Sequence, residues 1–281
     1  MTKMYWTDTQ TARLKTLGID AGGLAEEFDS LAERNQTFQT IEKKQVKALR
    51  AALTSRLMCR RPTRFSQLEK DLDKLLQDQG FAKVSTPTII TKHALAKMGI
   101  DHTHPLQDQI FWIDDTRCLR PMLAPGLYSL MTDFSRLDFR PVRFYETGSC
   151  FRKESDGACH SNEFTMLNLV EMGTPEPGRT DRLKALAGMV ARTAKAGDIR
   201  FEEETSAVYG TTLDLVAHPS GLELGSGAMG PHPLDAAWNI TDTWVGMGFG
   251  MERLLMASVK DTALGRWAKS LSWLDGIPLR I

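Results

Sequence analysis

Apolar residues recur at helical spacing along the first part of this chain and give way to two-residue alternation and β-branched runs over much of the rest. Residues 1–61 read as helices, with Thr7-Asp8 opening one and Gly22-Gly23 breaking the run before LAEEFDSLAERN. Val46, Leu49, Leu53 and Leu57 draw an apolar stripe, and Pro62 closes that helix. Phe65, Leu68, Leu72, Leu75 and Leu76 define the next helix, which Gly80 ends. A strand follows over 81–90. Its Pro87 cannot donate to a ladder and marks an edge, a bend or a surface where another subunit takes over.

Beyond a short helix over 94–98, IFWID and RCLRP are strand candidates, and Pro125 sits where the first turn of a helix tolerates it. Residues 142–151 and 164–172 form the arms of a hairpin, joined by a polar link with Asp156-Gly157 as its turn signal. A helix over about 180–195, strands near 199–203, 213–216, 222–225 and 243–246, and a helix beginning within GFGMERLLMASV complete the pattern. Hairpins outnumber strict strand–helix alternation, which predicts an α+β domain on an antiparallel sheet flanked by helices. The expected division is an N-terminal helical segment, 1–61, and a larger domain, 62–281.

Charge changes this picture only locally. Thirty-five basic residues balance thirty-five acidic ones in the 281, so no global field announces a nucleic-acid partner. Residues 43–64, however, hold Lys43, Lys44, Lys47, Arg50, Arg56, Arg60, Arg61 and Arg64 and no acidic residue. On a helix they make either a face for RNA phosphates or a solvated surface. The amino terminus lacks the apolar core of a signal peptide, and the uncharged runs are too short for a bilayer, so a cytoplasmic protein without a membrane partner is expected. The four cysteines show no metal-binding spacing, and free thiols are the simplest expectation.

Two constellations carry chemistry. In the hairpin, Arg152 stands near the loop end, where its planar fork of donors suits a phosphate, and Phe164 offers a flat face to a base. An ordinary hairpin with a charged tip fits the same residues. In WVGMGFGMERLLM, Gly246, Gly248 and Gly250 strip the side chains from one strand face ahead of Arg253. That strand is either a floor for a flat ligand or a tight packing contact. No G-x-x-x-x-G-K-[ST] occurs, which excludes the common phosphate loop, and Glu223 with Ser226 are oxygen donors of the kind Mg²⁺ accepts beside phosphates. Glu223 is equally a surface carboxylate.

These residues, with MGID, CLRPMLAP, FRKESDG, EFTMLN, GPHPLD and GFGMERLL in order, resemble the class II aminoacyl-tRNA synthetases, and within them the pyrrolysine-charging branch. The resemblance implies a homodimeric ligase using ATP and Mg²⁺, whose partners are an amino acid and its cognate tRNA. It places Arg152 on the α-phosphate, Phe164 and Glu154 at the adenine, Arg253 on the γ-phosphate, Gly248 in the ATP floor, and Glu223 with Ser226 at magnesium. Ala124, Leu127, Tyr128, Met131, Val170, Ala228, Trp244 and Gly246 match the walls of the amino-acid pocket, though they would serve equally as plain core. Asn168 would meet the side-chain amide of a long N-acyl lysine, because a buried amide is costly unless paired. Tyr209 matches a lid tyrosine. The resemblance is to a short form without a further basic tRNA-binding domain, so tRNA recognition is expected on this domain, the early helices and a dimer partner. A synthetase for phenylalanine, or a synthetase-like protein that has lost catalysis, are the alternatives.

Overall fold

Thr7 opens the first helix, α1 (Asp8–Thr16), through a reciprocal cap: its hydroxyl accepts from Gln10 N–H while the Gln10 side chain accepts from Thr7 N–H. Gly22 and Gly23 do not break the chain as expected but lie inside a one-turn helix, α2 (Ala21–Leu24). Trp6 donates from its indole to the Gly23 carbonyl at 2.9 Å and packs edge-on against Phe28, which gives this turn a tertiary anchor. The interruption comes later, where Ser30 caps α3 (Leu31–Met58). No residue of α3 is fully buried; Val46, Leu49 and Leu53 are half-buried, whereas Leu57 is exposed. The computed structural model describes residues 3–19, 21–153 and 161–281, and the chain divides into two units, 1–63 with 270–281, and 64–269. The C-terminal segment thus belongs to the first unit rather than to the 62–281 region. Arg56 pairs with Asp275 at 3.1 Å, and Arg13 donates to the Arg280 carbonyl at 2.9 Å.

The second unit begins with α4 (Arg64–Asp78), whose Leu68, Leu72 and Leu76 recur at a spacing that puts them on one buried face. Each such leucine contributes roughly 1.5–3 kcal/mol of burial. Gly80 ends the helix at φ +80°, a conformation that suits glycine. The single strand expected over 81–90 is two. β1 (Ala82–Lys83) pairs parallel with residues Phe144 and Tyr145, and β2 (Ile89–Thr91) pairs antiparallel with β3 (Arg117–Leu119). Pro87 lies in the gap, where the chain changes partner. IFWID is not a strand either: it contributes one bridge, Trp112 to Cys118, because the Asp114 carboxylate takes the N–H groups of Thr116 and Arg117 and folds the segment into a turn.

Most other elements follow the predicted pattern: α5 (Lys92–Lys97), α6 (Ala124–Phe134), β4 (Val142–Phe151), β5 (Glu163–Met172), α7 (Arg179–Ala194), β6 (Ile199–Ser206), β7 (Gly210–Ala217) and β8 (Glu223–Gly230), then, after an unexpected one-turn helix α8 (Asp235–Trp238), β9 (Trp244–Gly250) and α9 (Met251–Ser258). Seven strands form the main sheet in the order β1-β4-β5-β9-β8-β7-β6, antiparallel except for β1 against β4, while β2 and β3 make a separate two-stranded ribbon. The domain is therefore α+β. Alternation along the strands sends Leu167, Leu169, Val245, Met247, Phe249 and Leu215 to one face, where α4, α7 and α9 cover them. The opposite face carries the alternate glycines of β9 with Asn168 of β5 and Ser226 of β8, and α6 lies over one end of it. That partly uncovered face is where a ligand has room.

Candidate active site

Register decides which side chains meet on this face. Asn168 of β5 stands opposite Gly248 of β9, Gly248 opposite Ser226 of β8, and Ser226 opposite Asp214 of β7, so four strands contribute to one row. A second row joins Val170, Gly246 and Ala228. A cavity of about 450 Å³ opens above these rows. Every described residue expected at the site lines it: Arg152, Phe164, Asn168, Val170, Ala124, Leu127, Tyr128, Met131, Tyr209, Glu223, Ser226, Ala228, Trp244, Gly246, Gly248 and Arg253. Glu154 lies outside the described residues.

The glycine strand is bare for a reason that can be measured. A Cβ on Gly248 would lie 2.9 Å from Asn168 Oδ1 and 3.1 Å from its Nδ2, so glycine there makes room for the amide. A Cβ on Gly250 would meet the aliphatic stem of Arg253 at 3.4 Å. Asn168 Oδ1 is buried yet has no hydrogen-bond partner among the described residues. Such an acceptor is costly in a folded chain and points to a ligand that donates to it or carries an ordered partner.

The polar end is set by the hairpin and by the start of α9. Arg152 Nε donates to the Pro121 carbonyl at 2.9 Å, which fixes the side chain, and its guanidinium lies over the Phe164 ring at 5.3 Å. Arg253 pairs with the Glu223 carboxylate at 3.2 Å and reaches the Glu223 carbonyl at 3.3 Å, so the two groups expected at the γ-phosphate and at the metal are neighbours. Ser226 Oγ donates to Asp214 Oδ1 at 2.6 Å. Its lone pairs are thereby left to accept.

The apolar end is closed by aromatic packing. Tyr128 meets the Trp238 ring at 5.6 Å and the Trp244 ring at 5.7 Å, edge-on to the latter. Trp244 Nε1 donates to both oxygens of Asp235 at 3.1 Å, and Gly230 is needed beside it, since a Cβ there would fall 1.9 Å from that nitrogen. Burial raises the Asp235 carboxyl above its ordinary range, against the hydrogen bonds from His232 N–H and Trp244. Burial also raises the Tyr128 and Tyr209 hydroxyls, so both are neutral donors.

Sequence reasoning missed three of these groups. Asp214, Asp235 and Glu252 are buried acids that read as ordinary charges in a chain rich in them. Glu252 accepts the Thr165 N–H at 2.9 and 3.0 Å, fastening α9 to β5 beneath the site, and burial raises its carboxyl. The alternation of β7 was the available signal for Asp214: it is the one acid between Leu213 and Leu215.

The mainly antiparallel sheet thus leaves one face partly open, with two arginines at one end of its cavity and apolar walls at the other. The model of the tRNA synthetases class II core domain (F) matches residues 53–264, and the chain belongs to this family. It is similar over 99% of its length to 99% of the pyrrolysyl-tRNA synthetase from Desulfitobacterium hafniense, at 46% identity and a TM-score of 0.89. A second structure of the pyrrolysyl enzyme from that organism gives 46% identity and a TM-score of 0.86, covering 99% of this chain and 96% of the other. Threonine–tRNA ligases are similar over a part: that of Wolbachia sp. subsp. Brugia malayi is 30% identical over 35% of this chain, and that of Buchnera aphidicola subsp. Schizaphis graminum 33% identical over 34%. The chain spans about 16% of the length of the first of these relatives and 15% of the second. Among the described residues no helix is long and apolar enough to cross a membrane.

Proposed function

We propose that the protein is an ATP-dependent ligase that activates pyrrolysine, a long N-acyl lysine, as an aminoacyl-adenylate and transfers it to its cognate tRNA. The observation that carries the amino-acid choice is the unpartnered Asn168 amide oxygen, buried in a cavity walled by Leu127, Tyr128, Met131, Val170 and Trp244. An aliphatic chain of lysine length fills such walls, and a side-chain amide gives Asn168 its partner. Phenylalanine would fill the walls and leave the amide unpaired.

Arg152 and Arg253 would hold the α- and γ-phosphates of a bent ATP, with Phe164 and Glu154 at the adenine and Gly248 in the floor beneath. The donor set toward magnesium is all oxygen, Glu223 carboxylate and the Ser226 hydroxyl oriented by Asp214, which fits a hard cation that also takes phosphate oxygens. Bound there, magnesium would neutralise charge on the triphosphate. The amino-acid carboxylate attacks the α-phosphorus in line, the bond to pyrophosphate breaks, and Arg152 stabilises charge on the phosphorus oxygens. The terminal tRNA hydroxyl then attacks the acyl carbon and AMP leaves. Positioning accounts for the rate, and no side-chain nucleophile is required.

The exposed Lys43, Lys47 and Arg50, which share one face of α3, support tRNA phosphate contact. A homodimer acting in the cytoplasm completes the reading. The test is aminoacylation of the pyrrolysine tRNA with pyrrolysine or an Nε-carbamate of lysine. Charging is expected with these and not with phenylalanine or threonine; charging with a canonical amino acid alone would reject the reading.

A further inference from the structure

The tripeptide His-Pro-Leu occurs twice, at 104–106 and 232–234, and both copies end on the same turn. In each, the imidazole Nδ1 accepts the N–H of the residue two further on, Leu106 at 3.1 Å and Leu234 at 3.2 Å. The intervening proline has no N–H to compete. A backbone donor aimed at Nδ1 leaves that nitrogen bare and puts the ring proton on Nε2. Each Nε2 then faces one carbonyl of the turn between β6 and β7: His104 meets Ala207 O at 3.1 Å, and His232 meets Tyr209 O at 2.9 Å.

We propose that His104 and His232 are positioning residues that latch this turn, and with it Tyr209, over the amino-acid pocket. As a lid for the amino acid, the latch rests on the function proposed above. Inside the turn, the N–H groups of Val208 and Tyr209 both point to Ser206 Oγ, at 3.2 and 3.3 Å. The donors of the tip are thus met from within and two of its carbonyls from outside. Neither histidine is loose. The His232 N–H donates to Asp235 at 2.7 Å, and Asp235 in turn takes the indole of Trp244, so the lid tip is tied through one histidine to the pocket wall. The Tyr209 and His232 rings also lie edge to face at 5.5 Å, while His104 opens the 3₁₀ turn Pro105–Gln109, whose Leu106 lines the cavity. Closure therefore depends on the two segments that also build the pocket.

Hydrogen exchange at the Val208 and Tyr209 amides reads the latch in the free protein, independent of which amino acid is charged. His104→Ala and His232→Ala are each expected to speed that exchange about fivefold, the effect of one hydrogen bond, and the double variant about twenty-five-fold. His232→Gln, which keeps a donor at the Nε2 position, is expected to stay within about twofold of the parent. In aminoacylation with an Nε-carbamate of lysine, the alanine variants raise KM and leave kcat near the parent value. Unchanged exchange in the double variant overturns the latch, as does equal acceleration across all of β6 and β7, which would make the histidines props of the sheet. Faster exchange at the tip without an effect on KM keeps the latch and removes its role in holding the amino acid.

Discussion

Replacing Asn168 by leucine is expected to make the free protein more stable and the enzyme worse. The Asn168 oxygen is buried and has no partner among the described residues, a condition that costs about 1–3 kcal/mol. Leucine has nearly the same shape and removes that cost, while the room it needs is already present because Gly248 lacks a Cβ. For a chain of this size the gain converts to about 2–4 °C in Tm per kcal/mol. With substrate bound the balance reverses: the side-chain amide of an N-acyl lysine meets a methyl group and loses a partner, again about 1–3 kcal/mol, or about 5- to 150-fold in kcat/KM. Calorimetric melting without ligands, together with ATP–pyrophosphate exchange across a range of N-acyl lysine concentrations, reads both effects on one preparation. A lower Tm accompanied by a proportionate loss of exchange would refute the reasoning, since Asn168 would then be a structural amide. So would unchanged kcat/KM.

Three further outcomes follow from the same geometry. Arg152→Ala is expected to slow adenylate formation by about 10²–10³-fold in single-turnover assays, the usual effect of removing one preorganised donor at a charged transition state. Gly248→Ala forces the Asn168 amide aside by about 0.5 Å to regain van der Waals distance, and about tenfold in kcat/KM for the amino acid is expected, scaled from about 10² for 1 Å. Glu171 is pushed up by burial, but hydrogen bonds from Arg182 and Arg143 outweigh it and hold the carboxyl below its ordinary range. A depressed folded-state pKa stabilises the fold at neutral pH and loses that contribution as pH falls below about 4, so Tm should drop there more steeply in the parent than in Glu171→Gln.

The hairpin and the glycine strand were legible because their signals are local. β-branched and aromatic runs set both arms of the hairpin, and glycines at alternate positions of β9 need no partner to be read as one bare face. Segments whose pairing is decided at a distance were not. The chain at Pro87 leaves β4 for β3, partners that lie far along the sequence. IFWID fails for a local reason instead: its β-favouring residues run into Asp114, whose carboxylate closes a turn on Thr116 and Arg117. Gly22 and Gly23 were read from propensity, and the Trp6 indole overrides it. The described site residues named by the resemblance line one cavity, whereas Asp214 and Asp235 act through other side chains, and even the GPHPLD motif that contains Asp235 does not reveal its tie to Trp244. The two His-Pro-Leu copies were visible in the sequence, but nothing there links residues more than one hundred positions apart to one turn.

The central claim is that the apolar cavity bounded by Asn168 selects a long N-acyl lysine for activation with ATP. ATP–pyrophosphate exchange with the purified chain, magnesium and each candidate amino acid tests it most directly. Exchange that requires pyrrolysine or an Nε-carbamate of lysine, and that is absent with phenylalanine, threonine and free lysine, is the expected result. Exchange driven by phenylalanine or threonine, with none from the N-acyl lysines, would contradict it.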